Sequence, residues 1–187
     1  MAMVFYLQSV GEISTCYSYI SVALASSLRM GFHRSDAANA FDLIERETRK
    51  RMFWILRTME TYITTLLGLP KLINDEDIDQ EQLLEVDDEF ITAGTIMPMP
   101  RSHAPAIAAT IAHVRLTTIL TKVVQSVYVS KDSWHARDGL CQVDYTKVAA
   151  IEKELEQWCQ QLPPVLTRSR ESTMSRYIYP PKLRSCD

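Results

Sequence analysis

The chain has 187 residues, 47% of them hydrophobic, and a formal net charge of −3, a length that suits one domain able to bury about two thirds of its unfolded surface. A slightly negative chain offers no general nucleic-acid surface. Five glycines against eight prolines leave few of the tight turns that an all-β fold needs.

The fold class expected is therefore all-α: a multi-helix, bundle-like domain over residues 1–166, followed by a flexible basic tail over 167–187. No apolar run approaches the roughly 18 residues of a membrane span, and the N-terminus lacks a secretory signal, so no membrane partner is expected. Residues 3–10 read as the end of a helix that begins further upstream, because Val4, Phe5 and Leu7 have no earlier periodic partners. Ile13, Tyr17, Ile20, Leu24 and Ser27 or Leu28 recur at helical spacing and predict a second helix over 13–30, stopped by Gly31. Ala23, Ala25, Ser26 and Ser27 would let a neighbouring helix approach closely.

A third helix is expected over 42–67. Asp42 can accept from the amide three residues on while Glu45 reaches back, a variant of the capping box. Met52, Ile55, Met59, Tyr62 and Leu66 make an apolar face, Trp54 is the aromatic expected to enter the interior, and Gly68 with Pro70 ends the helix. The four-residue pairs Glu45 to Arg49 and Glu47 to Arg51 are each worth only ~0.3 kcal/mol if exposed, so packing must hold this helix. Nine of the fifteen residues from Asp75 to Glu89 are acidic, which predicts a loop with short helical turns that stays largely solvated or faces the basic turn at Arg49 to Arg51. Gly94 to Pro105 is a flexible connection. Pro105 is placed for a first helical position, and Ala109, Ala112, Leu116, Leu120, Val123 and Val127 predict a helix over 105–129. After a polar link from Lys131 to Val143, Asp144 caps a helix over 144–162 with the stripe Val148, Ile151, Leu155, Trp158 and Leu162, stopped by Pro163 and Pro164.

Candidate chemistry is sparse. Asp75, Asp77 and Asp79 have the alternate spacing that opens a calcium loop, but Gln80 stands where that loop needs glycine and Val86 where it needs a bidentate glutamate. Cys16, Cys141, Cys159 and Cys186 lie too far apart for a compact zinc site and read as reduced thiols, and His33, His103, His113 and His135 lack partners at metal or triad spacing. Arg46, Arg49, Lys50 and Arg51, interrupted by Glu45 and Glu47, read as a solvated face, partly neutralised by those glutamates or by the acidic loop, rather than a nucleic-acid patch. No metal, cofactor or catalytic residue is assigned. A helical core rich in methionine and aromatics could still open a pocket for an apolar compound.

Four blocks occur in a fixed order: Met30-Gly31-Phe32-His33-Arg34, then Ile44 through Glu47, Arg49 and Arg51 to Phe53-Trp54, then Leu67-Gly68-Leu69-Pro70, then Ile73-Asn74-Asp75-Glu76-Asp77-Ile78-Asp79. With Tyr6-Leu7-Gln8 at the start and Ile151, Leu155, Trp158 and Leu162-Pro163 at the end, they resemble the fungal-specific transcription factor domain, the middle homology region of fungal zinc-cluster regulators. The resemblance covers residues 4 to 166, with Ala25 where an arginine is common and Met30 and Phe32 where leucines usually flank the glycine. It implies an all-α, non-enzymatic regulatory domain of a nuclear transcription factor that responds to a metabolite, xenobiotic or partner protein such as the transcription machinery. It also implies that zinc and DNA belong to a separate upstream module. A structural scaffold that dimerises without a ligand is the alternative. Gly31, His33, Arg34, Glu47, Arg49, Arg51, Phe53, Trp54, Gly68, Pro70, Asp75, Asp77 and Trp158 are the motif residues, with structural or regulatory roles.

The isolated chain is expected neither to bind duplex DNA with sequence preference nor to retain zinc, since it has neither the electrostatic footprint nor the clustered thiolates. Mobility-shift assays at physiological salt and metal analysis after dialysis check this; a sequence-dependent complex or stoichiometric zinc would contradict it.

Overall fold

The computed structural model describes residues 2–35, 41–100, 105–127 and 145–167. Six α-helices occur among them: α1 Ala2–Ser9, α2 Ile13–Arg29, α3 Leu43–Leu67, α4 Ile107–Val127, α5 Tyr145–Gln160 and the single turn α6 Pro164–Thr167. Packing is serial: α1 lies on α2, α2 on α3, α3 on α4 and α4 on α5. The described residues contain no strand, only the isolated bridges Arg34 to Asp79 and Ile91 to Ile96. The expected all-α class is the one observed. The connection at Lys131 to Val143, the Asp144 cap, residues 168–187, Cys141, Cys186, His103 and His135 lie outside the described residues.

Both long N-terminal helices end as their sequences predict. Gly31 adopts φ 74° and Gly68 φ 65°, a left-handed conformation in which a side chain would be strained. At the second end, Gly68 N–H donates to the Thr65 carbonyl and Leu69 N–H to the Thr64 carbonyl at 2.9 Å, so the last turn keeps its acceptors satisfied. At the other end of α3, Asp42 caps the helix by accepting from Glu45 N–H at 2.8 Å.

The buried face of α3 differs from the predicted one. Met52, Tyr62 and Leu66 are 47%, 48% and 57% exposed, whereas Phe53, Leu56, Arg57, Glu60, Thr61, Ile63 and Thr64 are buried. Hydrophobicity alone picked the wrong stripe because the inward face carries charge and hydroxyl groups that find partners inside the protein. Neighbouring residues are about 100° apart around a helix, so Phe53 takes the interior place expected for Trp54. Phe53 is fully buried with Leu24, Phe32, Leu56 and Ile73. Trp54 is partly buried and meets Phe53 edge-on, with ring centroids 5.7 Å apart. A second cluster, Val4, Cys16, Ile20 and Ile63, joins α1, α2 and the end of α3. There the Cys16 thiol donates to the Val4 carbonyl at 3.4 Å. Burial pushes that thiol's pKa up, so it behaves as a small core residue.

On α4 the buried residues are Ala108, Ala112, Val114, Thr117, Ile119 and Thr121, while Ala109 is exposed. A helix touched by α3 on one side and α5 on another buries two partial faces rather than a single stripe. Pro105 precedes its first turn by two residues, within the usual blur of a helix boundary. Contrary to the sequence expectation, Ile107–Ser126 is long and apolar enough on average to cross a membrane, with mean hydropathy 1.4. It packs against α3 and α5, and 28% of that stretch is buried among the described residues. Along α5, Val148, Ile151 and Trp158 are half-buried and Leu155 is exposed, and the helix ends at Gln160 before Pro163 and Pro164.

Phe53→Ala is expected to destabilise the chain by about 3–5 kcal/mol. Trp54→Ala should cost less, and Asp77→Asn, on an exposed residue, should stay within about 0.5 kcal/mol. Urea denaturation of the three variants beside the parent checks the order; Trp54→Ala as the worst of the three would show that the interior aromatic is misassigned.

Candidate functional site

After Gly68 the chain turns back and runs the length of α3 as an acidic strap over residues 69–93, fastened at successive points. Near the turn, Glu60 is 1% exposed. Its Oε1 accepts from Leu72 N–H at 2.8 Å, and its Oε2 accepts from the Arg57 guanidinium. Arg57, 5% exposed, also donates to Thr61 Oγ1 at 3.0 Å and to the Asp75 carboxylate, which Lys71 holds from its other side at 2.7 Å.

One helical turn further back, the Trp54 indole Nε1 donates to the Glu81 carbonyl at 2.9 Å and Lys50 Nζ donates to Glu81 Oε2 at 3.0 Å. Glu47, 2% exposed, repeats the Glu60 arrangement: its Oε1 accepts from Leu84 N–H at 3.1 Å and faces Arg51 Nε at 3.3 Å. Its Oε2 makes no hydrogen bond and relies on the Lys50 ammonium 3.4 Å away. Arg51 reaches on to the Val86 carbonyl at 2.7 Å and to the Asp88 carboxylate. Finally Leu43 N–H donates to the Ala93 carbonyl at 3.2 Å, closing the strap against the start of the helix that it follows.

The acidic block thus faces the basic side of α3 through Lys50, Arg51 and Arg57, the second of the two expected arrangements, while most of its acidic side chains stay exposed. The basic cluster is no solvated face: Lys50 is buried, and the Arg49 guanidinium lies over Phe41 at 3.5 Å and Phe32 at 5.1 Å while holding Glu45. The expected short helical turns are present, at Asp75–Asp77 and Asp88–Phe90. Burial is the largest single influence on the Asp75 carboxyl and pushes its pKa up, but the hydrogen bonds and charges of Lys71 and Arg57 together outweigh it, so the net direction is down. The Lys50 hydrogen bond and charge hold Glu81 below its ordinary value.

Of the motif residues, Glu47, Arg51, Trp54 and Asp75 meet at this strap. Gly68 and Pro70 form the turn that starts it. Gly31 and His33 lie at its side, where Asp79 N–H donates to the His33 carbonyl at 3.0 Å, and Arg34 bridges to Asp79. The His33 Nδ1 is buried without a partner. Asp77 contacts only Asn74, at 3.4 Å, and Asp79 turns to Ser35, so the three alternate aspartates diverge instead of converging on an ion. Trp158 stands apart on α5, its Nε1 donating to the Ala112 carbonyl at 2.8 Å. Sequence reasoning missed Arg57 and Glu60, although opposite charges three residues apart inside an otherwise apolar and hydroxylic run are the signal of a buried pair. It also missed Asp87, whose two carboxylate oxygens accept from the first amides of α4, Ala106 at 3.1 Å and Ile107 at 3.2 Å.

No group of three metal-ligating side chains lies together among the described residues. Cys16, in the core, and Cys159, on α5, sit on separate elements and do not fit a zinc-cluster donor set. The geometry is that of a clamp built from buried charge.

The chain belongs to the fungal specific transcription factor domain family, whose pattern matches residues 1–160. It is 34% identical over 176 residues to Activator of stress genes protein 1 of Candida albicans, covering 88% of this chain and 18% of that protein. Against Activator of stress genes 1 of Saccharomyces cerevisiae it is 33% identical over 180 residues, 95% of this chain and 18% of the relative. Against the transcriptional activator protein acu-15 of Neurospora crassa the figures are 32% over 145 residues, 78% and 15%. The chain therefore spans less than a fifth of the length of these relatives. No solved structure matches it significantly.

Because the folded-state pKa values of Asp75 and Glu81 are lowered, their contribution to stability is complete above the ordinary carboxylate range and is lost as pH falls through the depressed values. Stability should thus fall on acidification below about pH 4.5, the upper end of that range. The double variant Asp75→Asn with Glu81→Gln should show a shallower fall. Denaturation midpoints at a series of pH values check it; equal slopes for parent and variant would contradict it.

Proposed function

We propose that the chain is the regulatory domain of a longer, nuclear, zinc-cluster transcription regulator. Zinc and DNA are held by a separate module, and the domain passes the state of a bound effector or protein partner to the transcription machinery. It acts by binding and transmission, without catalysis. An effector does this only if it binds one helix arrangement better than another.

The observation that carries the effector reading is the uncovered stripe of α3. Ile55, Met59 and Tyr62, with Ala109 and His113 of α4 and Gln8 of α1, line a cavity of about 580 Å³ whose walls include no carboxylate, Lys or Arg. Such walls, with Ile55, Met59 and the Tyr62 ring among them, suit a small apolar compound. A ligand-free scaffold that dimerises through this same face is the second reading, favoured by the exposure of Met52, Tyr62 and Leu66 along it.

Titration with Nile red, an uncharged apolar dye, separates the two. Saturable fluorescence on a monomeric chain, weakened about tenfold by Tyr62→Glu, is the expected result. A concentration-dependent dimer in sedimentation, broken by Tyr62→Glu and blind to the dye, would establish the scaffold instead.

A further inference from the structure

A second cleft, which meets the cavity on the α3 stripe at Thr58 and Val114, opens between the strap, α3, α4 and α5. Its inner part has a volume of about 300 Å³ and its outer part about 570 Å³, and the two share Trp54, Gln82, Val114 and Thr118, so they form one continuous groove. We propose that this groove binds a neutral, hydroxyl-rich small molecule, a sugar or cyclic polyol.

Three independent features point to that chemistry. The first is two indoles fixed along the groove. Trp54 is pinned by its Nε1 to the Glu81 carbonyl and Trp158 to the Ala112 carbonyl. A hydrogen bond at the edge sets each ring's orientation, and an indole that lines a groove suits the C–H face of a ring-shaped polyol.

The second is unspent hydrogen-bonding capacity. Thr58, 7% exposed, has a buried hydroxyl with no partner. Thr61 accepts from Arg57, and Thr117 and Thr118 donate to the Val114 carbonyl, so each keeps an acceptor lone pair. Gln82, Gln157 and Gln161 line the outer part and add amides that both donate and accept. A wall offering donors and acceptors in mixture matches hydroxyl groups, which are both at once, better than a carboxylate or an ammonium.

The third is charge balance. The charged lining consists of Arg57 and Asp75 in the inner part and Arg115 and Glu154 in the outer, two of each sign. Arg57 is already held by Glu60 and Asp75, and Glu154 is held by Lys122 at 2.6 Å. An ionic ligand would meet no net opposite charge and would lose its hydration on entry.

The test uses the full chain titrated with D-glucose, D-galactose, myo-inositol and maltose, followed by tryptophan fluorescence and by saturation-transfer NMR. At least one probe should bind saturably with a Kd near 1 mM or tighter, a strength set by a few good hydrogen bonds and one stacked ring. Thr58→Val, which keeps the shape and removes the hydroxyl, and Gln82→Ala, on an exposed side chain, should each raise that Kd roughly tenfold. Circular dichroism confirms that both variants fold, and Asp77→Asn, on an exposed residue that lines neither cavity, should leave the response unchanged. Saturable binding by none of the four probes overturns the proposal. So does binding that neither Thr58→Val nor Gln82→Ala alters, or binding of gluconate as tight as that of the neutral sugars.

Discussion

Everything in this fold leans on the ion pair between Arg57 and Glu60, buried on the inward face of α3. A charge taken out of water is costly unless its partners are in place, and removal of one member of such a pair costs about 3–5 kcal/mol because the other is then stranded. Glu60 satisfies its remaining oxygen with the Leu72 amide, and Arg57 its remaining donors with Thr61 and Asp75. The chain after Gly68 therefore has to fold back along α3 for the helix interior to be tolerable. Glu47 repeats the arrangement with Leu84 N–H, Arg51 and Lys50. Strap and helix are two halves of one electrostatic unit.

That unit also organises what surrounds it. The strap places Asp87 at the N-terminus of α4, where its carboxylate takes two amides that the helix cannot satisfy itself. Its Gln80 side chain donates to the Phe32 carbonyl at 2.7 Å and so ties the exit of α2 to the same lattice. Three helices thus receive their end conditions from one loop. A ligand or partner that favoured a different strap position would alter α2, α3 and α4 together, which is the property that a transmitting domain needs.

Much of the backbone was legible in the sequence, because helix ends are written locally. Asp42 with Glu45, Gly31 and Gly68 each act within four residues, and the structure puts α2 and α3 within a residue or two of the expected limits. Side-chain burial was far less legible. Which face of α3 turns inward depends on whether Glu47, Lys50, Arg57 and Glu60 find partners, and those partners lie up to 37 residues away in Asp88 and Leu84. Periodicity registers hydrophobicity, not compensation, so it selected Met52, Tyr62 and Leu66 and left the charged face outside. For the acidic block the sequence left two arrangements open, solvated or facing the basic turn, and the same partners decide between them. Self-repulsion argues for solvation only when no buried cations stand opposite, and Lys50, Arg51 and Arg57 do stand opposite.

The two glutamate clamps lie thirteen residues apart on the helix, at Glu60 and Glu47, and their strap amides, Leu72 and Leu84, lie twelve apart. Thirteen helical residues span only ~20 Å, whereas twelve extended ones could reach ~40 Å. The strap consequently carries slack, which it stores in the turn at Asp75–Asp77 and in the detour to Ser35 through Asp79. A tether with spare length between two fixed buckles can gain or lose a residue midway without dragging either buckle off its post. The exposed turn at Glu76 and Asp77 is where the chain has latitude to vary in length, and the two glutamates with the amides they hold, together with Asp79, Gln80 and Glu81 between them, are where it has least.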